Sequence, residues 1–372
     1  MTILPTPRTV EAAVTGRCNQ RCTYCSHFTS ATDADRDLPK EDWLSFFEEL
    51  GMCAVLRVAL IGGEPFCRDD IHELISGIVE NRMRFSIASN GTLITDDDAA
   101  RLAATGRCDG VQISIDGPSA DVHDGFRGQG SFSGAVQAVR RLREHGVPLS
   151  ARVTIHRRNV RHLRRIAEFL LDDLRLPYFS TAAARSAGLC REHVSEVLLS
   201  VDERELAMRA FLDLREKYGD RTRASSGPAV EAVAWAAMTE AKRNGNTALP
   251  RGGYLTGCNG VMSHIGVRSD GVVVPCLLLA HIELGRIGRD ALKRIWTDSA
   301  QLQRLRSRRA IRLDGFDFCS ACEYTLYCSG GCPGLAFIST GKDDRPDPRS
   351  CLKRFLEAGG TLPCPADSRS GP

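Results

Sequence analysis

No apolar run in the chain approaches the ~18–20 residues that a membrane-spanning helix needs, so no membrane partner is expected. The first residues, Met1-Thr-Ile-Leu-Pro-Thr-Pro-Arg8, lack the charged-then-apolar layout of a signal peptide, and the protein is expected to stay in the cytoplasm. Charge of one sign is also scarce. Lys and Arg number 49 against 46 Asp and Glu, and a net +3 gives no pull toward nucleic acid. With 42% hydrophobic and 26% charged residues, the 372-residue chain is globular, and its length suggests roughly two to three domains. What the sequence has in excess is cysteine, fifteen in all. In a cytosolic chain so many thiols point to metal ligation or redox chemistry rather than disulfides.

Three of them lie in Thr15-Gly-Arg-Cys18-Asn-Gln-Arg-Cys22-Thr-Tyr-Cys25-Ser-His-Phe-Thr29, at spacing C-x3-C-x2-C with Tyr24 just before the third. Three thiolates on one loop can hold three irons of a four-iron cluster and leave the fourth open. A structural zinc site closes with four Cys or His ligands, which this loop does not offer alone. The loop resembles the defining motif of the radical S-adenosylmethionine (radical SAM) enzymes. The resemblance implies that Cys18, Cys22 and Cys25 hold a [4Fe–4S] cluster whose open iron is chelated by S-adenosyl-L-methionine.

The chain beyond the loop alternates strands and helices. Val10–Thr15 reads as a strand, Pro39–Leu50 as a helix, and Val55–Ile61 as a strand ending in Gly62-Gly-Glu-Pro65. Asp69–Asn81 reads as a helix, Arg84–Ser89 as a strand, and Thr95 caps the next helix. Gly110–Asp116, Ser150–Ile155 and Tyr178–Ala182 follow as strands, with helices over Ser133–His145 and Val160–Leu174 between them. Six such steps predict an α/β fold with a parallel sheet and outer helices, active residues lying at the carboxyl ends of the strands. A partial (β/α)6 barrel is also what the resemblance implies, over about residues 8–185.

By the same resemblance, Gly62, Gly63, Glu64 and Pro65 meet the amino group of the cosubstrate. The glycines would let backbone approach the ligand, and Glu64 would accept from an ammonium. Tyr24, Ser89, Asn90 and Ser114 join the cosubstrate pocket. Arg152 suits its carboxylate, since a guanidinium binds carboxylates bidentately; a surface ion pair is the other reading. Asp116 and Cys190 are candidate catalytic residues. Asp116 ends a strand on the ribose and carboxylate side. Cys190 is either a quiet buried thiol or a hydrogen-atom donor to substrate, as in some radical SAM epimerases. The stretch His123–Phe132 is similar to a loop of peptide-modifying members, though a Gly-rich turn into a helix would read the same. Arg157, Arg158, Arg161, Arg164 and Arg165 form either a solvated outer face or a surface for an acidic leader peptide. Residues 183–257 are read as a bridge, helical over Val201–Tyr218 and mixed from Arg221 to Arg251.

From Cys258 the spacing becomes specific again. Cys258 and Cys276 bracket Ile265–Val274, a hairpin turning on Asp270-Gly271. Cys319-x2-Cys322-x5-Cys328-x3-Cys332 and Cys351 follow. These seven cysteines resemble the SPASM extension of radical SAM proteins, over about residues 255–365; paired zinc knuckles are the alternative. The resemblance implies two auxiliary [4Fe–4S] clusters, hence three in all. Cys319, Cys322, Cys328 and Cys351 would close the distal one. Cys258, Cys276 and Cys332 would hold the nearer one, with an open fourth position favoured over His264, which stands where many relatives have an eighth cysteine. Ten cysteines are then used, leaving Cys53, Cys67, Cys108, Cys190 and Cys364, the last a reserve ligand. The expected domains are 1–185 (radical SAM partial barrel), 186–254 (helical bridge) and 255–372 (SPASM).

The resemblance implies an oxidoreductase that abstracts hydrogen through a 5′-deoxyadenosyl radical, supplied with electrons by a flavodoxin or ferredoxin. The favoured substrate is a ribosomally made peptide, crosslinked through a thioether or C–C bond. With the motif starting at residue 18 there is no room for a fused leader-binding domain ahead of it, so a separate leader-binding protein is expected. The alternative is a dehydrogenase or epimerase of a sugar or aminocyclitol. Sulfatase maturation is discounted, because Leu277 stands where those enzymes carry an acid after the cysteine.

Overall fold

The computed structural model describes residues 3–26, 37–258 and 260–362. Cys364 and the tail of the first cysteine loop, His27–Thr29, lie outside them. Six strands, β1 (Thr9–Thr15), β2 (Arg57–Gly62), β3 (Arg84–Ser89), β4 (Cys108–Ser114), β5 (Leu149–Ile155) and β6 (Phe179–Ala183), pair in chain order and all in parallel. Helices α1 (Lys40–Met52), α2 (Ile71–Glu80), α3 (Asp96–Ala104), α4 (Ala120–Arg127), α5 (Ser131–Glu144) and α6 (Leu163–Glu168) lie between them. Parallel neighbours need crossovers, and helices supply them.

Alternation along each strand divides the sheet into two faces. Val10, Ala12, Val14, Val58, Leu60, Val111, Ile113, Ala151 and Val153 are fully buried in one hydrophobic core with Trp43, Phe47 and Leu50 of α1 and Leu74 and Ile78 of α2. The residues between them are small, polar or charged: Glu11, Gln112, Ser114, Arg152, Thr154 and Ser180. Across this second face Gln112 Nε2 donates to Ser180 Oγ at 3.3 Å. One face therefore holds the molecule together, and the other lines a polar concavity.

Local signals fix several boundaries. Thr95 starts α3 with a capping box to Asp98, and Ser200 starts α7 (Val201–Tyr218) with one to Glu203. Three stretches differ from the sequence reading. Within His123–Phe132 the chain is helical through Arg127, and only Gly128–Gly130 turn. Arg221–Arg251 contains a short strand, β7 (Thr222–Ala224), parallel to β6, then a 16-residue helix, α8 (Pro228–Arg243). An alanine-rich run starting at proline has the propensity for that helix, so its regularity was underread. Of the arginine run, Arg157, Arg164 and Arg165 pair with Glu203, Asp213 and Asp173. Two of those three acids sit on α7, so Arg164 fastens α6 to α7 and Arg157 ties the turn after β5 to it.

The second cysteine region is built onto the same sheet. The hairpin forms as β8 (His264–Val267) and β9 (Val272–Val274), turning at Gly271 with φ +82°. Strand β8 pairs in parallel with β1, from Thr9↔His264 to Ala12↔Val267, and β10 (Gly285–Arg286) edges β9. The sheet has ten strands in the order β10-β9-β8-β1-β2-β3-β4-β5-β6-β7. Among the described residues its end strands, β10 and β7, do not pair with each other, so it is an open barrel. No described helix is long and apolar enough to cross a membrane.

Candidate functional site

The first cysteine loop leaves the carboxyl end of β1 and is held on three sides. Below it, Gly63 N donates to Thr15 O at 2.9 Å and Glu64 N to Arg17 O at 2.8 Å. A Cβ on Gly62 would meet Thr15 O at 2.3 Å, and one on Gly63 would meet Arg17 O at 2.2 Å. The two glycines therefore make room for the cysteine loop's own backbone, where the sequence suggested room for a ligand. Asp37 accepts from Thr15 Oγ1 and, at 2.7 Å, from Gly16 N. Behind the loop, Thr23 N donates to Phe126 O at 3.1 Å and Cys190 N to Cys25 O at 3.4 Å.

Glu64 is fully buried. Its carboxylate accepts from Phe66 N at 3.2 Å, Ser89 Oγ at 2.8 Å and Asn90 N at 2.6 Å. It joins the end of β2 to the end of β3, and most of its acceptor capacity is used. Burial nevertheless pushes its pKa up to about 7, against the pull of those hydrogen bonds. Asn90 Nδ2 in turn reaches Asn19 Oδ1 at 2.9 Å, inside the cysteine loop.

Asp116, also fully buried, is a second hub. One oxygen accepts from Tyr24 Oη and from Arg127 Nε at 2.6 Å, and the other accepts from Thr154 N at 2.7 Å. Asp116 N donates to His123 Nδ1 at 3.1 Å. The neighbouring Arg127 guanidinium holds the carboxylate below its usual range despite burial. Burial drives the pKa of His123 down to about 4, so that ring is neutral. Tyr24 stacks on His156 at 5.3 Å, and burial lowers His156 to about 4 as well. Asp116 thus spends its oxygens on the protein's own donors and tethers the cysteine loop to α4. Cys190 is wholly buried beside Tyr24, Phe126 and Val197, where desolvation raises its thiol. Ser114 and Arg152, opposite each other in the register, share the concave face.

The remaining cysteines fall into two sets. Cys276 is pushed up to about 12 by burial, and neighbouring Cys332 and Cys258 add to the rise. Cys319 is pushed up to about 11, chiefly by burial and then by Cys328, Cys351 and Cys322. Cys328 and Cys351 likewise feel Cys322. The folded chain therefore sets Cys258, Cys276 and Cys332 near one another, and Cys319, Cys322, Cys328 and Cys351 likewise. Every described cysteine is a free thiol. Among the described residues no three Cys, His, Asp or Glu side chains crowd one point as a single-ion site would require; a cluster spreads its thiolates over several irons. A three-thiol loop, a threesome and a foursome, all free and partly buried, suit iron–sulfur clusters in donor chemistry.

A cavity of about 520 Å³ lies between the ends of β6 and β7 and the second cysteine region. Its walls include Ala183–Arg185 after β6, Ser225–Pro228 after β7, Trp235 and Met238 of α8, and Cys319, Cys322, Cys328, Cys332 and Cys351. Arg204 pairs with Glu231 there at 2.7 Å. Arg185 has no ion-pair partner among the described residues, and its guanidinium is desolvated beside Cys332 and Cys276. Neither Arg185 nor the Asp116–Arg127 pair was singled out from the sequence. An Asp at a strand end with an Arg eleven residues on was a usable signal for the pair. For Arg185 there was none.

Comparisons with known proteins agree with this geometry. The family described as the Radical SAM superfamily matches residues 13–170, and the SPASM iron–sulfur cluster-binding domain matches residues 258–323. The AdoMet-dependent heme synthase of Nitratidesulfovibrio vulgaris is 27% identical over 359 residues, covering 94% of this chain and 93% of that protein. The PqqA peptide cyclase of Granulibacter bethesdensis is 26% identical, covering 95% and 89%. Among solved structures, Streptococcus suis SuiB bound to its precursor peptide SuiA superposes with a TM-score of 0.72 at 17% identity, covering 94% of this chain and 77% of that one. The chain therefore carries a radical SAM domain followed, toward its carboxyl end, by a SPASM domain.

Proposed function

We propose that the protein is a radical SAM oxidoreductase that modifies a ribosomally made peptide. In this reading Cys18, Cys22 and Cys25 hold one [4Fe–4S] cluster, Cys258, Cys276 and Cys332 a second, and Cys319, Cys322, Cys328 and Cys351 a third. With S-adenosyl-L-methionine on its open iron and one electron from a flavodoxin or ferredoxin, the first cluster supplies a 5′-deoxyadenosyl radical able to take hydrogen from an unactivated carbon. The chain's own residues do the rest. Gly62–Pro65, Ser89 and Asn90 brace the cysteine loop, with Glu64 as the clamp. Tyr24, Asp116 and Arg127 fix its other flank as positioning residues. Ser114 and Arg152 face the concavity, where a guanidinium would take the cosubstrate carboxylate. Cys190, sealed behind Tyr24, serves as packing. The domains follow as 1–185, 186–254 and 255–372, with the hairpin of the third completing the sheet of the first.

The observation that carries this reading is the cavity, which lies between the strand ends of β6 and β7 and Cys319, Cys322, Cys328, Cys351 and Cys332 of the SPASM region. A substrate radical formed there would have an electron acceptor beside it, as a net oxidation requires. The resemblance to a peptide cyclase and to a peptide-bound structure favours a peptide. A small acidic molecule is the second reading, favoured by Arg185 in the cavity wall, which has no ion-pair partner among the described residues, and by the heme synthase relatives. Anaerobic incubation with short peptides encoded beside the gene tests the choice. Loss of two hydrogens from a peptide supports the first reading. Turnover of a carboxylated porphyrin, with no peptide changed, supports the second and overturns the first.

A further inference from the structure

Three thiols, Cys258, Cys276 and Cys332, leave one iron of a four-iron cluster without a protein ligand. The position of one imidazole beside them bears on what completes the set. A Cβ built on Gly260 would lie 2.9 Å from His264 Nε2 and 3.2 Å from Cys258 Sγ, so imidazole nitrogen and thiol flank a single point. Gly260 N also donates to Cys258 Sγ at 3.2 Å, which fixes the thiol on that side.

The hairpin register gives a second, independent placement. Gly266 opposes Val274 and Val267 opposes Val273. β9 ends at Val274, and Cys276 follows it past Pro275. Cross-strand neighbours share a face, with Cβ atoms roughly 5 Å apart. The flanking Ile265 and Val267 are fully buried in the hydrophobic core, so alternation sends His264 and Gly266 to the other face. On that face a Cβ on Gly266 would lie 3.4 Å from Cys276 Cα. His264 therefore borders Cys258 at Gly260 and shares a face with Gly266, over which Cys276 lies, and Cys276 adjoins Cys332.

We infer that His264 Nε2 is the fourth ligand of the nearer auxiliary cluster, making a Cys3His site in place of an open one. The inference rests on the cluster assignment proposed above. The Fe–N bond forms from the Nε2 lone pair, Nδ1 keeps its proton, and no electron changes hands. A neutral imidazole in place of a thiolate removes one negative charge from the cluster. Such an exchange raises reduction potential, as it does where histidines replace cysteines in Rieske centres. Against a four-thiolate cluster, the nearer cluster would therefore sit at a higher potential.

The test uses the full chain, reconstituted anaerobically and reduced with dithionite, with and without ¹⁵N-histidine labelling. Pulsed electron paramagnetic resonance should find a nitrogen strongly coupled to a SPASM cluster, with a coupling that changes on labelling. His264→Ala should abolish that coupling. His264→Cys should keep the full iron content, lack the coupling, and shift the cluster potential downward; it reports even where His264→Ala loses iron. A SPASM-cluster signal with no coupled nitrogen, or a coupling that survives in His264→Cys, overturns the assignment while leaving the cluster reading intact. Absence of any SPASM-cluster signal overturns the cluster reading, and His264 ligation with it.

Discussion

Replacing Glu64 with glutamine isolates what its burial costs. The side chain is fully buried, and its pKa stands at about 7 against an ordinary 4.5. A carboxyl whose folded value is raised lends its stability below the unfolded value and loses it as pH climbs through the folded one. At ~1.36 kcal/mol per pKa unit, the ionised form costs about 3 kcal/mol by pH 8 and about 1 kcal/mol at pH 5. Glutamine cannot ionise and escapes this penalty. It also loses one acceptor, and the cheapest arrangement turns its NH2 toward Phe66 N and Ser89 Oγ, keeping the oxygen on Asn90 N. That loss is the same at both pH values and cancels in their difference. Paired urea unfolding of the iron-free, reduced chain should therefore show Glu64→Gln gaining about 2.5 kcal/mol relative to wild type between pH 5 and pH 8. A difference independent of pH, or one that shrinks toward pH 8, refutes the reasoning.

Gly63→Ala drives a methyl into Arg17 O; it should strip iron from the amino-terminal site while the SPASM iron remains, read by iron content and Mössbauer spectra. Asp116→Asn leaves Arg127 buried without its counter-charge, and stability at pH 7 should fall by about 3–5 kcal/mol in urea unfolding. The depressed pKa of Asp116 has the opposite pH sign to Glu64: its contribution is present above its unfolded value and lost as acid protonates it, so the Asp116→Asn penalty should shrink below about pH 4.

The parts of the fold legible in the sequence are those set by local rules. β3, Arg84–Ser89, and α7, Val201–Tyr218, form where period and capping put them. The two cysteine-rich regions were legible because short spacings along the chain are a covalent constraint, and family models match both regions. What the sequence did not carry is partnership between distant segments. Nothing in His264–Val267 announces that its neighbour is Thr9–Ala12, since any alternating strand could pair there. The glycines before Glu64 were read as room for a ligand because glycine reports close approach without naming what approaches; the structure supplies Thr15 O and Arg17 O. Asp116 looked catalytic for the same reason. A carboxylate at a strand end is legible, but the three donors that occupy it come from Tyr24, Arg127 and Thr154.

Release of 5′-deoxyadenosine is the most direct measurement. Anaerobically reconstituted protein, given S-adenosyl-L-methionine and dithionite, should bind the cosubstrate and release 5′-deoxyadenosine and methionine. The variant with Cys18, Cys22 and Cys25 all replaced by alanine should release neither, while keeping its SPASM iron. No 5′-deoxyadenosine from the intact protein, or equal release from the variant, would contradict the account.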